Sequence, residues 1–456
     1  MATSADEYAT VADLAAFTHD ELEAHRRQSP GVEVLTKLFR AMYAASMATE
    51  EGQTITFDLT WIDPDNPDPD PPQRIYSDRW VAVPFSSTIP LTPRALVKAS
   101  KATDPRTSSF AVYASSEGDI YIWGMIDQGN LSYDFRRFES EKGPEIPGLF
   151  QAGALGVGRL AVHIEYEPIA ELRIDSLLTS SLNPLDSGPI LEALQTGIEN
   201  YLQAVRNAVP SQAYADRSHW DDSMAFQWLR TLIRVLLRIR GMGHGGAVLI
   251  TPDMTGAGLD IKYEVTYPRL PEALQRWGAA IIVHTHTSDL ISNALDNNES
   301  TVDARLYLEE YVSKNDVEVA TNEIDGSLWF IACLSRIDGL ILMAPDLSVK
   351  GFGTMITVED PPAAIFLAQN NDADANHRAQ LSYDSLGTRH RSMMRYCNSR
   401  SGSIGFVISQ DGDIRAMTKV GDDLVIWDIA RLQIELPAMM PTDESETKLG
   451  RENGAD

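Results

Sequence analysis

The strongest constraint on this chain is a set of short, almost wholly apolar runs in its second half. Gly246-Ala247-Val248-Leu249-Ile250 follows the glycine-rich turn Gly241-Met242-Gly243-His244-Gly245. Leu340-Ile341-Leu342 follows Asp338-Gly339, and Phe406-Val407-Ile408 ends in Ser409. Runs this short and this apolar are read as buried strands, because a half-exposed strand would alternate apolar and polar residues. On the same grounds Leu328–Met343 is expected to hold two apolar strands joined by Ser335-Arg336-Ile337. Ile261–Tyr267 and Ile281–His286 are read as further strands, and Gly405–Ser409 with Asp413–Thr418 as a hairpin across Gln410-Asp411-Gly412.

Helical spacing fills much of the rest. Residues 1–30 read as polar and helical. Val32, Val34, Leu35, Leu38, Phe39 and Met42 recur at the helix period within Gly31–Ala48. Thr92-Pro93 opens a short helix with a capping hydroxyl and a proline in the first turn. Pro184–Val209 becomes amphipathic through Leu191, Leu194, Ile198, Leu202 and Val205. Trp220–Arg240 is a second long helix with Leu229, Leu232, Ile233, Leu236 and Leu237 on its buried face. Its Arg230, Arg234 and Arg238 form a stripe that reads as a solvated or inter-domain face. Before these helices, Thr54–Trp61, Trp80–Phe85, Ser109–Ala114, Asp119–Met125, Leu160–Tyr166 and Ala170–Leu177 read as strands, with Ser115–Gly118 as a hairpin turn. Asp63–Pro72, rich in proline and aspartate, is an exposed loop. Trp123, Trp329 and Trp427 sit in strand-like runs and read as core.

The pattern predicts an α/β (α+β) protein with an α+β domain over 1–212, its boundary at the Pro210-Ser211-Gln212 break. A second domain follows over 213–436, and 437–456 is expected to be a disordered acidic tail. The 456 residues suffice for such a division. With 38 Lys and Arg against 65 Asp and Glu, the formal charge is −27. That argues against a nucleic-acid-coating role, which needs a basic footprint. It leaves room for a small nucleotide held by a local cationic pocket and a metal. Two cysteines, Cys333 and Cys397, are too few for a disulfide framework and fit a reducing cytoplasm. The first residues show no signal-peptide pattern, and no apolar run reaches the roughly 18 residues of a membrane span. A cytoplasmic location is expected.

Two stretches carry candidate chemistry. Asp338, between Ile337 and Gly339 and ahead of Leu340-Ile341-Leu342, is costly to bury unless it is paired or holds a cation. An Asp-Gly turn is the structural alternative. Gly387-Thr388-Arg389-His390-Arg391 precedes a helix suggested by Met393-Met394-Arg395-Tyr396. Cations oppose the helix dipole there, whereas a bound anion favours them. Arg389 and Arg391 offer bidentate contacts, His390 a donor and Thr388 a cap. A basic surface helix start is the alternative. His284 and His286 would share one strand face as a metal pair or stand as ordinary strand-end histidines, and His244 is a candidate nucleotide contact.

Together with the strand ending in Ser409, these motifs resemble the diadenylate cyclase family, whose hallmarks are a DGA strand and a GTRHR turn. The resemblance covers Trp220 to Asp428. It implies a mixed central sheet flanked by helices, preceded here by a sensor-like domain with a weaker similarity around Tyr121–Gly124. It places the metal-binding acid on Asp338, with Gly339 beside it and His390 at the reacting phosphates. Phosphate contacts fall on Gly387, Thr388, Arg389, His390, Arg391 and Ser409, with Gly246 on the early glycine-led strand. ATP is the implied substrate and Mg2+ or Mn2+ the implied cofactor. Two domains, self-associated as a dimer or higher oligomer, would each hold one ATP and close cyclic di-AMP with release of two pyrophosphates. Leu340 replaces the alanine of the DGA motif, and Gln410 stands where many members carry glutamate. A catalytically weak or inactive domain that binds ATP or a cyclic dinucleotide as a sensor is the alternative these departures raise.

Overall fold

The structure, a computed structural model, describes residues 8–65, 67, 80–105, 107–128, 147–164, 167–174, 176–179, 182–215, 219–297, 302–410 and 412–429. The expected acidic tail at 437–456 and much of the Asp63–Pro72 loop lie outside these residues. The chain divides into two compact units between Ser181 and Leu182.

The first unit opens with α1 (Val11–Ala24) and α2 (Val32–Ser46). A reciprocal capping box between Thr10 and Asp13 starts α1. Two short strands, β1 (Thr49–Glu50) and β2 (Gln53–Thr54), lead into the main sheet. That sheet comprises β3 (Phe57–Trp61), β4 (Val81–Pro90), β5 (Ser108–Ala114), β6 (Ile120–Asp127), β7 (Phe150–Gly156), β8 (Arg159–Ile164), β9 (Glu167–Arg173) and β10 (Ser176–Leu178). The short helix α3 (Pro93–Ala99) follows β4, and the Thr92 hydroxyl accepts from Ala95 N–H as its spacing predicts. The spatial order is β10-β9-β8-β7-β3-β5-β6-β4, with β3 and β5 parallel. Leu14, Leu35, Leu38, Phe39 and Met42 of the helices bury one sheet face against Phe57, Leu59, Phe110, Phe150 and Val162. Trp123 is buried, as expected, and donates to Ile62 O. The buried Glu171 carboxylate receives Arg159 and Arg173. Burial alone would raise its pKa, but the hydrogen bonds and charges of the two arginines outweigh burial and hold it below the ordinary glutamate value.

The second unit contains α4 (Pro189–Ala208), α5 (Ser211–Ala215), α6 (Trp220–Gly241), β11 (Gly246–Ile250), β12 (Leu259–Tyr267), α7 (Arg269–Asp296) and α8 (Ala304–Leu334). Then come β13 (Leu340–Met343), β14 (Val349–Ile356), β15 (Ile365–Ala368), β16 (Arg378–Gln380), α9 (Thr388–Ser399), β17 (Ile404–Ile408), β18 (Ile414–Val420) and β19 (Asp423–Ile429). Its mixed sheet runs β12-β14-β13-β11-β17-β18-β19-β15-β16. Met393, Met394, Tyr396 and Cys397 of α9 pack on one face, against Ala247, Leu249, Leu340, Leu342 and Val407. Strand alternation sends Val248, Ile250 and Phe406 to the other face, which α4 and α6 reach through β18 and β17.

Four expectations need correction. The boundary expected at 212 falls instead at 181/182, because α4 packs on α6, α7 and β18. A Cβ at Gly197 of α4 would lie 2.1 Å from Pro345 O and 3.0 Å from Trp228. The run Ile281–His286 lies inside α7, not in a strand. Its β-branched residues suit a strand by propensity, but Leu270, Leu274, Gly278 and Ile282 keep helical spacing and are buried against neighbouring helices. The first half of the Leu328–Met343 segment belongs to α8, and Trp329 is 55% exposed rather than core. The arginine stripe of α6 is no solvated face: Arg234 is buried and pairs with Asp325 of α8, and Arg238 lies over the Trp329 ring at 4.4 Å. Burial, then the charge of Arg234, pulls the Arg230 guanidinium down to about 10, with Asp325 opposing.

Candidate functional site

Strand direction decides which sequence motifs can meet. β11 and β13 are parallel, Val248 opposite Ile341, so the residues leading into them lie at one end of the sheet. β17 is antiparallel to β11, with Gly246 opposite Ile408, so its exit into Ser409 lies at that same end. Neighbouring strands are about 4.8 Å apart. Two lead-ins and one exit therefore sit side by side: the glycine-rich turn before β11, the Asp338-Gly339 loop before β13 and the Ser409 turn after β17.

The start of α9 leans over this end. Gly387 is its N-cap, in an ordinary extended conformation (φ −67°), with no side-chain cap and no acid in the first turn. Thr388 is the first helical residue and not the cap expected of it. A Cβ at Gly245 (φ +69°) would lie 3.0 Å from Arg389 Nη1, 2.8 Å from Ile408 O and 3.1 Å from Gln410 N. Arg389 thus rests across the turn between β11 and β17, and only glycine admits that approach. In the same turn His244 Nδ1 is 2.8 Å from Gly245 O, and its buried Nε2 has no hydrogen-bond partner among the described residues.

His390 points toward the sheet. Burial, then the charge of Arg415 on β18, lowers its pKa to about 4; Asp428 on β19 opposes this and Arg389 adds to it. Arg415 and Asp428 are cross-strand partners joined at 3.3 Å. His390 is therefore neutral near pH 7 and presents one N–H donor and one acceptor. Arg391 turns away: its guanidinium is 3.9 Å from the Asp384 carboxylate and 5.9 Å from the Tyr383 ring centroid. Ser409 closes the β17–β18 turn, its Oγ accepting from Asp413 N–H at 3.0 Å.

Asp338 is placed differently from its expected site inside a strand. It is exposed, in the loop between α8 and β13. Gly339 beside it (φ +116°) is fixed by close backbone approach, since a Cβ would lie 2.5 Å from Gly353 C and 2.8 Å from Thr354 N. Gly246 is explained by packing: its Cβ direction meets Ile239 at 2.6 Å and Ser335 at 3.3 Å. Leu340 belongs to the core under α9, so its size does not bear on a ligand at the sheet end. His284 and His286 fall two apart on a helix and do not share a face; His284 Nδ1 is 3.7 Å from Glu310 of α8. Gly245, Arg415 and Asp428 were absent from the expected site. The glycine-rich turn signalled the first, whereas the other two have no local motif and emerge only from strand pairing.

Residues 24–127, within the first unit, match the family described as probable sensor domain DACNV, a domain found in diadenylate cyclase-related proteins. The cyclase domain itself is not matched. No curated protein and no solved structure matches the chain. Among the described residues no helix is long and apolar enough to cross a membrane.

Proposed function

We propose that the second unit is a diadenylate cyclase domain whose activity the DACNV-like first unit regulates. The observation that carries this reading is the uncapped, cationic start of α9. Arg389 lies across the Gly245 turn there, at the sheet end where Asp338 leads into β13. A helix N-terminus with free N–H groups and arginine in place of acid is suited to phosphate oxygens. Among the described residues no three His, Cys, Asp or Glu side chains converge. A divalent cation here would have Asp338 as its protein ligand, with phosphate oxygens and water completing the shell, a donor set that suits Mg2+ or Mn2+. That cation would neutralise phosphate charge.

In this reading Arg389, the α9 N–H groups of Thr388 and its neighbours, and Ser409 hold the phosphates, with Arg391 at the rim. Neutral His390 donates to a phosphate oxygen. Two copies of the domain face each other, each with one ATP. The 3′-hydroxyl of one nucleotide attacks the α-phosphorus of the other, and the bond to the pyrophosphate leaving group breaks. The hydroxyl proton passes to solvent, and a second such step closes cyclic di-AMP. Positioning and charge neutralisation supply the catalysis.

Incubation of the purified chain with ATP and Mg2+ or Mn2+, followed by mass spectrometry, tests the reading. Cyclic di-AMP is expected from the wild type and none from Asp338→Asn, whose circular dichroism should match the wild type. Undiminished product from Asp338→Asn overturns the metal assignment. A second reading, a nucleotide-binding sensor without turnover, is favoured by Gln410, a neutral residue in the turn beside Arg389. ATP binding with no product in the same assay would select it.

A further inference from the structure

We infer that the stacked pair Tyr263–Phe352 is the surface on which the base of the bound nucleotide lies, an assignment that rests on the nucleotide reading above. The two rings are cross-strand partners on β12 and β14, with centroids 4.7 Å apart and planes inclined by 17°. β12 is the last strand of its sheet, and Tyr263 is 41% exposed. Ile337 and Met355 nearby are also exposed apolar side chains.

Gly353 joins this patch to the acid-bearing loop. Its φ is +62°, and a Cβ there would lie 3.3 Å from Tyr263 Cδ2, 3.3 Å from Ile337 Cγ2 and 3.5 Å from Asp338 O. The aromatic ring and the Asp338 backbone thus meet at a residue with no side chain. A nucleotide has the same division, an apolar flat base at one end and charged phosphates at the other. Lys262 Nζ, 5.2 Å from the Tyr263 ring centroid, adds a cation at the edge of the patch. A cross-strand aromatic pair also stabilises a sheet edge. That role alone would make no distinction between ligands with and without a base.

The full-length chain titrated calorimetrically with ATP and with inorganic tripolyphosphate, each with Mg2+, separates the two roles. Base stacking predicts that Tyr263→Ala weakens ATP about tenfold or more while tripolyphosphate binding stays at the wild-type value. Tyr263→Phe keeps ATP affinity within about twofold, since the ring is retained. Tyr263→Leu, which preserves apolar bulk should the alanine variant unfold, also loses ATP affinity selectively. An equal loss of both ligands, or no loss of ATP, overturns the assignment while leaving the phosphate site standing. A wild type that binds neither ligand removes the nucleotide reading and this assignment together. A Tyr263→Ala chain that changes sedimentation mass but not ATP affinity assigns the patch to self-association instead.

Discussion

The second unit carries two groups of arginines on helices, and they are treated in opposite ways. On α6, Arg230, Arg234 and Arg238 are turned inward toward α8, where Asp325 takes Arg234 and Trp329 takes Arg238. That helix also follows its dipole, with Asp221 and Asp222 in the first turn and Arg238 and Arg240 in the last. On α9 the arginines stand at the wrong end for the dipole, uncapped, over an open turn. The first group is closed by protein partners and serves the fold. The second is arranged at some cost to its own helix, about 0.3–1 kcal/mol per charge, which an incoming anion would reverse.

The largest effect expected from this contrast is on stability. Asp325→Ala withdraws the carboxylate from a buried guanidinium and should destabilise the chain by about 3–5 kcal/mol in chemical denaturation. A change below about 1 kcal/mol would show that the α6 stripe is less tightly closed than its geometry indicates. Arg389→Ala should do the reverse. It should lower ATP affinity about 10- to 100-fold, the worth of a charge-assisted contact, with the ligand-free melting temperature nearly unchanged. If melting falls and affinity does not, the two arginine groups are alike and the contrast fails. Thr388→Asp sharpens it further. An acid in the first turn of α9 should stabilise the ligand-free chain by about 0.3–1 kcal/mol while weakening ATP.

The last expected effect concerns acid. Free histidine titrates near 6.5, but His390 in the fold titrates at about 4. Between these values the unfolded chain binds the extra proton, so stability is full above about 6.5 and declines as pH falls toward 4. His390→Gln should flatten that decline in denaturation midpoints measured across this range; an identical slope in the variant would assign the acid sensitivity to other groups.

Part of the first unit was readable because Thr54–Trp61 alternates and the Gly31–Ala48 helix keeps its apolar period, whereas β7, buried along most of its length, was not read as a strand. The Gly246–Ile250 and Phe406–Ile408 strands were readable for a different local reason, an unbroken apolar run, and the helix after Gly387 from Met393-Met394-Arg395-Tyr396. The α7–α8 pair was not. Val283 follows two isoleucines and looks like a strand, and α8 buries Ser313, Ala320 and Ser327 while exposing Tyr311, Val319 and Trp329, so its sequence has no clear apolar stripe. Partnership between the two helices, not composition, decides both. At the candidate site, residues contiguous in sequence were found as a motif. Arg415 and Asp428 were missed because only the β18–β19 register brings them beneath His390.

The parallel pairing of β11 with β13 also bears on how the site comes into being. These neighbours are separated along the polymer by β12, α7 and α8, so their ladder closes only after a long stretch of chain has been ordered. Contacts of such high sequence separation form slowly. A nascent or partly unfolded chain can carry the α9 turn intact and still lack Asp338 beside it. On the nucleotide reading proposed above, ligand binding would then report on completed folding of this unit, and the same ligand would protect it against unfolding by mass action.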